Sequence, residues 1–408
     1  MNILFLTMNV FTDIEMHNIY SDLMKAFIAH GHRPYIVTPR EKKSGEQTEL
    51  FHYKQYELLK VRIGNTSNVS LAEKGISTVF LSSQYYRAVK RYLGDIHYGL
   101  ILYYTPPITL SKPVKKLKRY FKCRTYLMLK DIFPQNAVDL EMFGSKSIIY
   151  YYFRRQEKEL YKISDRIGCM SEANVEYVFK HNPEVRKRDE TAKKQTGKGI
   201  LEVWPNSIKP IDISITPEER RRIRDRYLIP QNKTVFVYGG NLGKPQGIGY
   251  MLKCLHSQRN NKNAYFLIVG NGTEYGRIQR YIEKFQPENI ALCQWIPKEE
   301  YDKLISACDV GMIFLDYRFT IPNFPSRLLS YMEAKLPVLV CSDPNTDIGE
   351  VVVNGEFGWW CESDDTKKFE KYINKINTTS IKNMGEKSVE YLMKKFRSEE
   401  TYRIIMDE

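Results

Sequence analysis

The chain has 408 residues, 42% apolar, 27% charged and 13% aromatic, which suits a soluble globular protein of two or three cored domains. No apolar run approaches the roughly 18 residues of a spanning helix. Seven scattered cysteines (123, 169, 254, 293, 308, 341, 361) form no Cys-x-x-Cys pair, which excludes a disulfide framework and a zinc site and fits a reducing cytoplasm, and the net charge is +14.

Taken in chain order, Asn2–Thr7 reads as a first buried strand rather than a signal peptide. Glu15–His30 has helical spacing, Gly31 ends it, and Arg33–Val37 is the next strand. Ser77–Leu93 is helical. Strands follow at Leu100–Tyr104, Arg124–Leu129 and Arg166–Cys169, with helices near Ile108–Tyr120 and Ile148–Ile163 between them. Three basic clusters fall in this half: Lys112–Arg124, Arg154–Lys162 and Arg186–Lys198, with Tyr150–Phe153 leading into the second. Aromatic and basic residues together suit an anionic membrane interface, a nucleic-acid face or a merely solvated helix surface. Asn182–Gly199 is polar and poor in large apolar groups and reads as a mobile loop. Leu201–Trp204 closes the series, and Pro205-Asn206 breaks it.

The second series is more regular, with strands at Thr234–Tyr238, Ala264–Val269, Ile290–Cys293, Val310–Phe314 and Pro337–Cys341. Such alternation indicates parallel sheets with crossover helices, whose ligands bind beyond the carboxyl ends of strands. The loop after Tyr238 carries Gly239, Gly240, Gly243 and Gly247 and leads into a helix, so its free amides and the helix start form an anion site, to which Lys244 adds a charge. The alternative is a tight turn and nothing more. Gly270-Asn-Gly272 is a second tight turn after a strand. Trp295-Ile296-Pro297 offers a base an apolar wall, or is core. In Asn323-Phe-Pro325-Ser326-Arg327, Ser326 is placed to cap a helix, and Arg327 sits in its first turn against the dipole. A cation there is explained by an anion docking beside it, or is a plain surface arginine. Asp131, in Lys130-Asp-Ile-Phe-Pro, suits either an acceptor-side base or a turn cap.

The order Gly240-Asn-Leu-Gly-x-x-Gln-Gly247, Val269-Gly-Asn-Gly272, Pro325-Ser-Arg-Leu-Leu-x-Tyr331 and Leu336-Pro-Val338 resembles the retaining nucleotide-sugar glycosyltransferases of family four, in their bacterial capsule and O-antigen branch. Thr105-Pro-Pro107, Asp131-Ile-Phe-Pro-Gln135 and Pro205-Asn-Ser207 agree with it. The resemblance implies an α/β GT-B fold, two Rossmann-like domains facing across a cleft. The acceptor-side domain would span 1–206 with a returning helix 387–408, and the donor domain 207–386. It places the donor on Gly240, Asn241, Gly243, Gln246, Gly247, Gly270, Gly272, Trp295, Ile296, Asn323, Pro325, Ser326 and Ser330, with Asp131, Lys244 and Arg327 as catalytic groups. The chain also departs from that family. Pro322 and Ser330 stand where it has two glutamates, and Asn241 and Gln246 where it has the basic pair that grips the diphosphate. Glu333 lies one helical turn beyond.

The expected function is transfer of a sugar from a nucleotide donor, UDP-linked, to a hydroxyl of a lipid-linked oligosaccharide, with retention. No metal or other cofactor is expected, and no nucleic-acid partner. The expected location is cytoplasmic, peripheral on an anionic membrane surface. The alternatives are a nucleotide-sugar epimerase on the same fold and a non-catalytic nucleotide-sugar-binding protein.

Overall fold

The computed structural model describes residues 1–66, 69–377 and 381–407. The chain forms two compact units, Met1–Lys209 with Ser398–Glu408, and Pro210–Arg397.

The first unit is built on eight strands: β1 (Asn2–Leu6), β2 (Arg33–Glu41), β3 (Glu49–His52), β4 (Glu57–Ile63), β5 (Leu100–Tyr104), β6 (Arg124–Leu129), β7 (Arg166–Cys169) and β8 (Leu201–Val203). Their order is β3-β4-β2-β1-β5-β6-β7-β8, and every neighbour is parallel except β3, which runs antiparallel to β4. β1, β5 and β6 are almost wholly apolar and buried, as strands covered by helices on both faces must be. Strand order reverses between β1 and β5, so the loops after these two diverge and leave a crevice at their carboxyl ends.

The second unit has six parallel strands: β9 (Thr234–Gly239), β10 (Ala264–Val269), β11 (Ile290–Cys293), β12 (Val310–Phe314), β13 (Val338–Ser342) and β14 (Gly358–Glu362). The order β11-β10-β9-β12-β13-β14 puts the reversal between β9 and β12. These two pair only at Val310 with Phe236 and Gly311 with Val237. Beyond that point the Tyr331 hydroxyl takes over the bridge. It accepts from Gly239 N at 3.0 Å and donates to Met312 O at 3.1 Å. Glycine is required on both sides of this wedge. A Cβ at Gly311 would meet the Tyr331 ring at 2.5 Å, and one at Gly239 the Tyr301 hydroxyl at 1.8 Å.

Two expectations differ from what is found. Residues 183–196 form a helix, not a loop: Pro183 stands in its first turn, and buried Asp189 accepts from the amides of Ile200 and Leu201 at 2.6 and 3.0 Å. A polar helix is thereby tied to β8 without a large apolar face. The segment 387–408 divides between the units. Helix Lys382–Lys395 stays with the second, and helix Ser398–Met406 packs on helix Ile19–Ala29 of the first. There Trp204 Nε1 donates to Thr401 O at 2.9 Å and Tyr402 stacks on His30 with centroids 4.2 Å apart. Glu408 lies outside the described residues. All seven cysteines are free, and six of them are buried.

Candidate functional site

In the second unit the loops after β9, β10 and β12 meet at the strand-order reversal. The first two are joined backbone to backbone. Gly240 N donates to Val269 O, Leu242 N to Asn271 O and Glu274 N to Leu242 O, each at 2.9 Å. This close approach requires Gly270 and Gly272, whose Cβ atoms would lie 1.8 Å from Gly240 O and 2.3 Å from Leu242 O. Gly247 has φ +55°, and a Cβ there would lie 3.2 Å from the Asp316 Cα.

This network takes up part of the loop amides expected to be free. Gly243 N is taken by Gln246 Oε1 at 3.0 Å, and Gln246 N and Gly247 N close the turn on Gly243 O and Lys244 O. The donors with no partner among the described residues are the amides of Asn241 and Lys244 in the loop and of Ile248 and Gly249 in the first turn of the helix that follows. Asn241 and Gln246 bond to each other at 3.3 Å, and Gln246 is buried, so these two shape the loop and present no charge. Lys244 is exposed at the start of the turn.

Arg327 is the other cation. Its guanidinium carbon stands 4.4 Å from the centre of the Tyr238 ring and 3.5 Å from where a Gly240 Cβ would be. Its Nη1 is buried and has no hydrogen-bond partner. Burial works against the charge, while Tyr238 and Tyr331 favour it, and the net direction is upward. Ser326 does not cap the helix as expected; its backbone is already helical and its hydroxyl makes no cap bond. Asn323 O accepts from the Thr346 hydroxyl at 2.7 Å, and Pro325 lies between Phe324 and Ser326 at partial exposure. Ser330 is half-buried. Glu333 accepts from Ile211 N at 3.0 Å and is buried, so it is committed to the chain entering the unit. Trp295 is 67% exposed, which removes the core alternative, and its amide approaches Asn271 Oδ1; Ile296 beside it is half-buried. Tyr238, Tyr301 and Tyr331 were not singled out as site residues from the chain alone. A cavity of about 550 Å³ lies beside this site, but of the expected residues only Gly247 lines it.

In the first unit Asp131 follows β6, next to the β1–β5 crevice. The Thr105 hydroxyl accepts from Lys130 N at 3.1 Å and Asp131 N at 3.2 Å and donates to Asp131 O at 3.0 Å. Gln135 opens the next helix after Pro134, and among the described residues no backbone N–H donates to the Asp131 carboxylate, so the capping alternative falls. Burial pushes the Asp131 carboxyl up to about 6, with Lys130 opposing. Burial pushes the Lys130 ammonium well below its ordinary value, with Asp131 opposing. Lys130 Nζ donates to Asn206 Oδ1 at 2.7 Å and lies 4.0 Å from the Trp204 ring.

The basic clusters of this unit separate once placed. Lys115 and Lys118 pair with Glu159 and Asp165, and Arg188 donates to the carbonyls of Tyr161 and Ser164 at 2.7 and 2.9 Å. The start of helix Ile148–Ile163 is different. Ile148 is 88% exposed, Tyr151 61%, Ile149 53% and nearby Met142 64%, with Arg155 and Lys158 exposed on the following turns. Among the described residues no helix is long and apolar enough to cross a membrane, and no three His, Cys, Asp or Glu side chains gather as metal ligands.

Residues 219–391 match a family model described as glycosyl transferases group 1. A probable glycosyltransferase of Pseudomonas aeruginosa, WbjE, is 23% identical over 294 residues, 72% of this chain and 68% of its own length. Among solved structures, WaaG, a glycosyltransferase involved in lipopolysaccharide biosynthesis, superposes with a TM-score of 0.66 at 14% identity over all of both chains. HepE from Anabaena, solved in complex with UDP-glucose, superposes with a TM-score of 0.65 at 15% identity, over 100% of this chain and 98% of its own. At these identities the superpositions speak for the fold, which is the GT-B class of two Rossmann-like domains.

Proposed function

We propose, from the premise that this chain is a glycosyltransferase of the group 1 type, that it moves a sugar from a UDP-linked donor to a hydroxyl of a lipid-linked oligosaccharide, with retention. The observation that carries this reading is Arg327, a half-buried arginine whose Nη1 is buried and unpartnered at the β9–β12 reversal. A departing nucleoside diphosphate is a dianion or more, and a fixed cation in a dry site stabilises it as charge develops. Lys244 and the first-turn amides at Ile248 and Gly249 add to that role. Together they replace the basic pair lost at Asn241 and Gln246, and they make a divalent metal unnecessary. The exposed Trp295 and Ile296 serve as a wall for the base, and Ser330 as a ribose contact. Asp131 receives or orients the acceptor hydroxyl; its unbonded carboxylate, raised toward neutrality, suits a proton acceptor.

UDP is favoured by the UDP-glucose complex of HepE, and a surface-polysaccharide product by the lipopolysaccharide role of WaaG. A lipid-linked acceptor is favoured by the apolar tip Met142–Tyr152 with its following basic turns, which suits an anionic membrane surface. The test is a screen of nucleotide-sugar donors with a lipid-linked acceptor, reading nucleotide release and product anomer with and without excess chelator. Turnover of a UDP-sugar with retention and no chelator effect is expected. Inversion, preference for another nucleotide or loss of activity in chelator would overturn the corresponding part.

A further inference from the structure

At the edge of the first sheet, helix Leu71–Leu93 crosses β4 and leaves a cavity of about 490 Å³. Arg62 of β4 lines it with Arg87 and Arg91 of the helix, together with Gln47, Gln84 and Tyr92. No acidic side chain is among the lining residues. The carboxylates close by, Glu46 and Glu49, are held by Arg40 at 3.2 and 3.3 Å. Arg62 donates to a neutral acceptor, the Gln47 amide oxygen, at 2.9 Å. Among the described residues none of the three arginines has an ion pair. Arg87 and Arg91 stand four apart on one helix, a spacing at which like charges repel.

A second, independent observation concerns the opposite polarity. The Gln84 Oε1 atom is buried and has no donor. Gln84 also lines the cavity, and buried polar atoms are nearly always paired, so a turn of this side chain toward the cavity would let the oxygen take a hydroxyl or N–H. Guanidinium groups select oxyanions with two oxygens in reach. Both demands are met by one chemical class, a sugar that carries an acidic group.

We propose that this cavity binds a phosphorylated or carboxylated sugar, its oxyanion on Arg62, Arg87 and Arg91 and a hydroxyl on Gln84. β2 separates β4 from the β1–β5 crevice, so the ligand is not the reacting acceptor residue. Two sources share this chemistry: a free sugar phosphate, and an acidic residue within a glycan chain.

Calorimetry on the full chain tests it with four probes: glucose 6-phosphate, a glucuronate-containing oligosaccharide, inorganic phosphate and glucose. At least one of the two acidic sugars is expected to bind about 10-fold or more tightly than phosphate and glucose, and the one that does so names the source. The double variant Arg87→Ala with Arg91→Ala, at exposed helix positions, is expected to weaken that binding about 10-fold or more and to leave the fold intact. Phosphate binding as well as the tighter of the two acidic sugars, neither acidic sugar binding, or a double variant that binds as well as the parent would each overturn the proposal. The last outcome would move the ligand to another site. None of these readouts depends on turnover.

Discussion

After β9 the chain is held by backbone: Gly240 and Leu242 exchange amide bonds with Val269, Asn271 and Glu274 of the neighbouring strand and loop, and glycines at 270 and 272 let the two mainchains touch. After β6 it is held by one side chain, since the Thr105 hydroxyl alone makes three bonds to Lys130 and Asp131. The charges differ in the same way. Arg327 lies against an aromatic face that favours its charge, whereas Asp131 and Lys130 are each pushed toward neutrality by burial. One site is shaped to hold a fixed charge, the other to let a proton come and go. On the proposed function, donor binding falls to the second unit and proton transfer to the first.

Asp131→Asn breaks that division most severely. Turnover should fall about 10²-fold or more, as for loss of a general base, while donor affinity measured by calorimetry stays near the parent value. Near-normal turnover would take the proton role away from the first unit. Arg327→Ala is expected to act on the other side. Loss of a charge-assisted phosphate contact contributes roughly 1.5–3 kcal/mol, about 10- to 150-fold in donor binding. Unchanged UDP binding would make Arg327 a packing residue of Tyr238.

Gly270→Ala sharpens the backbone half of the comparison. Its methyl would stand 1.8 Å from Gly240 O, and such overpacking costs about 1–3 kcal/mol. A lowered Tm of the second unit, with the first unit unfolding as before, is the expected scan. A smaller effect is expected from pH. Because the folded Asp131 is raised from 3.8 to about 6, ionising it opposes folding. Its favourable contribution is present below 3.8 and is lost as pH rises through about 6. Asp131→Asn should therefore stabilise the first unit at pH 8 and lose that advantage at pH 3. The activity of the parent should fall as pH drops through about 6, where the base is protonated.

The five strands of the second series expected from apolar runs match β9 to β13: β9, β10, β12 and β13 are buried on both faces, and edge strand β11 is still a short apolar run. β4 alternates apolar and charged residues, and in β14 two tryptophans follow a glycine, so neither stands out as an apolar run. The helix 183–196 reads as a loop in the sequence because its anchor is one buried aspartate, not an apolar stripe. At the site, Arg327 was legible from a charge placed against a helix dipole. The wedge of Tyr331 was not, since it depends on which strands are neighbours, and strand order is not written in local pattern. The same limit hid the spent amides of the glycine loop.

The narrow pairing of β9 with β12 bears on how the second unit assembles. β9–β11 is one contiguous stretch of chain, 234–293, and β12–β14 another, 310–362. Each can form from near neighbours in sequence before the two are sealed, a low-contact-order route. The hydrogen bonding across this line is two residue pairs, the bonds that Asp309 and Val235 exchange just before them and one phenol, so opening here is expected to cost less than opening either half. Native-state hydrogen exchange reads this directly. The Gly239 amide should exchange before those of Phe266 and Leu339, and Tyr331→Phe should hasten it alone; equal protection across the sheet would make the unit a single cooperative block.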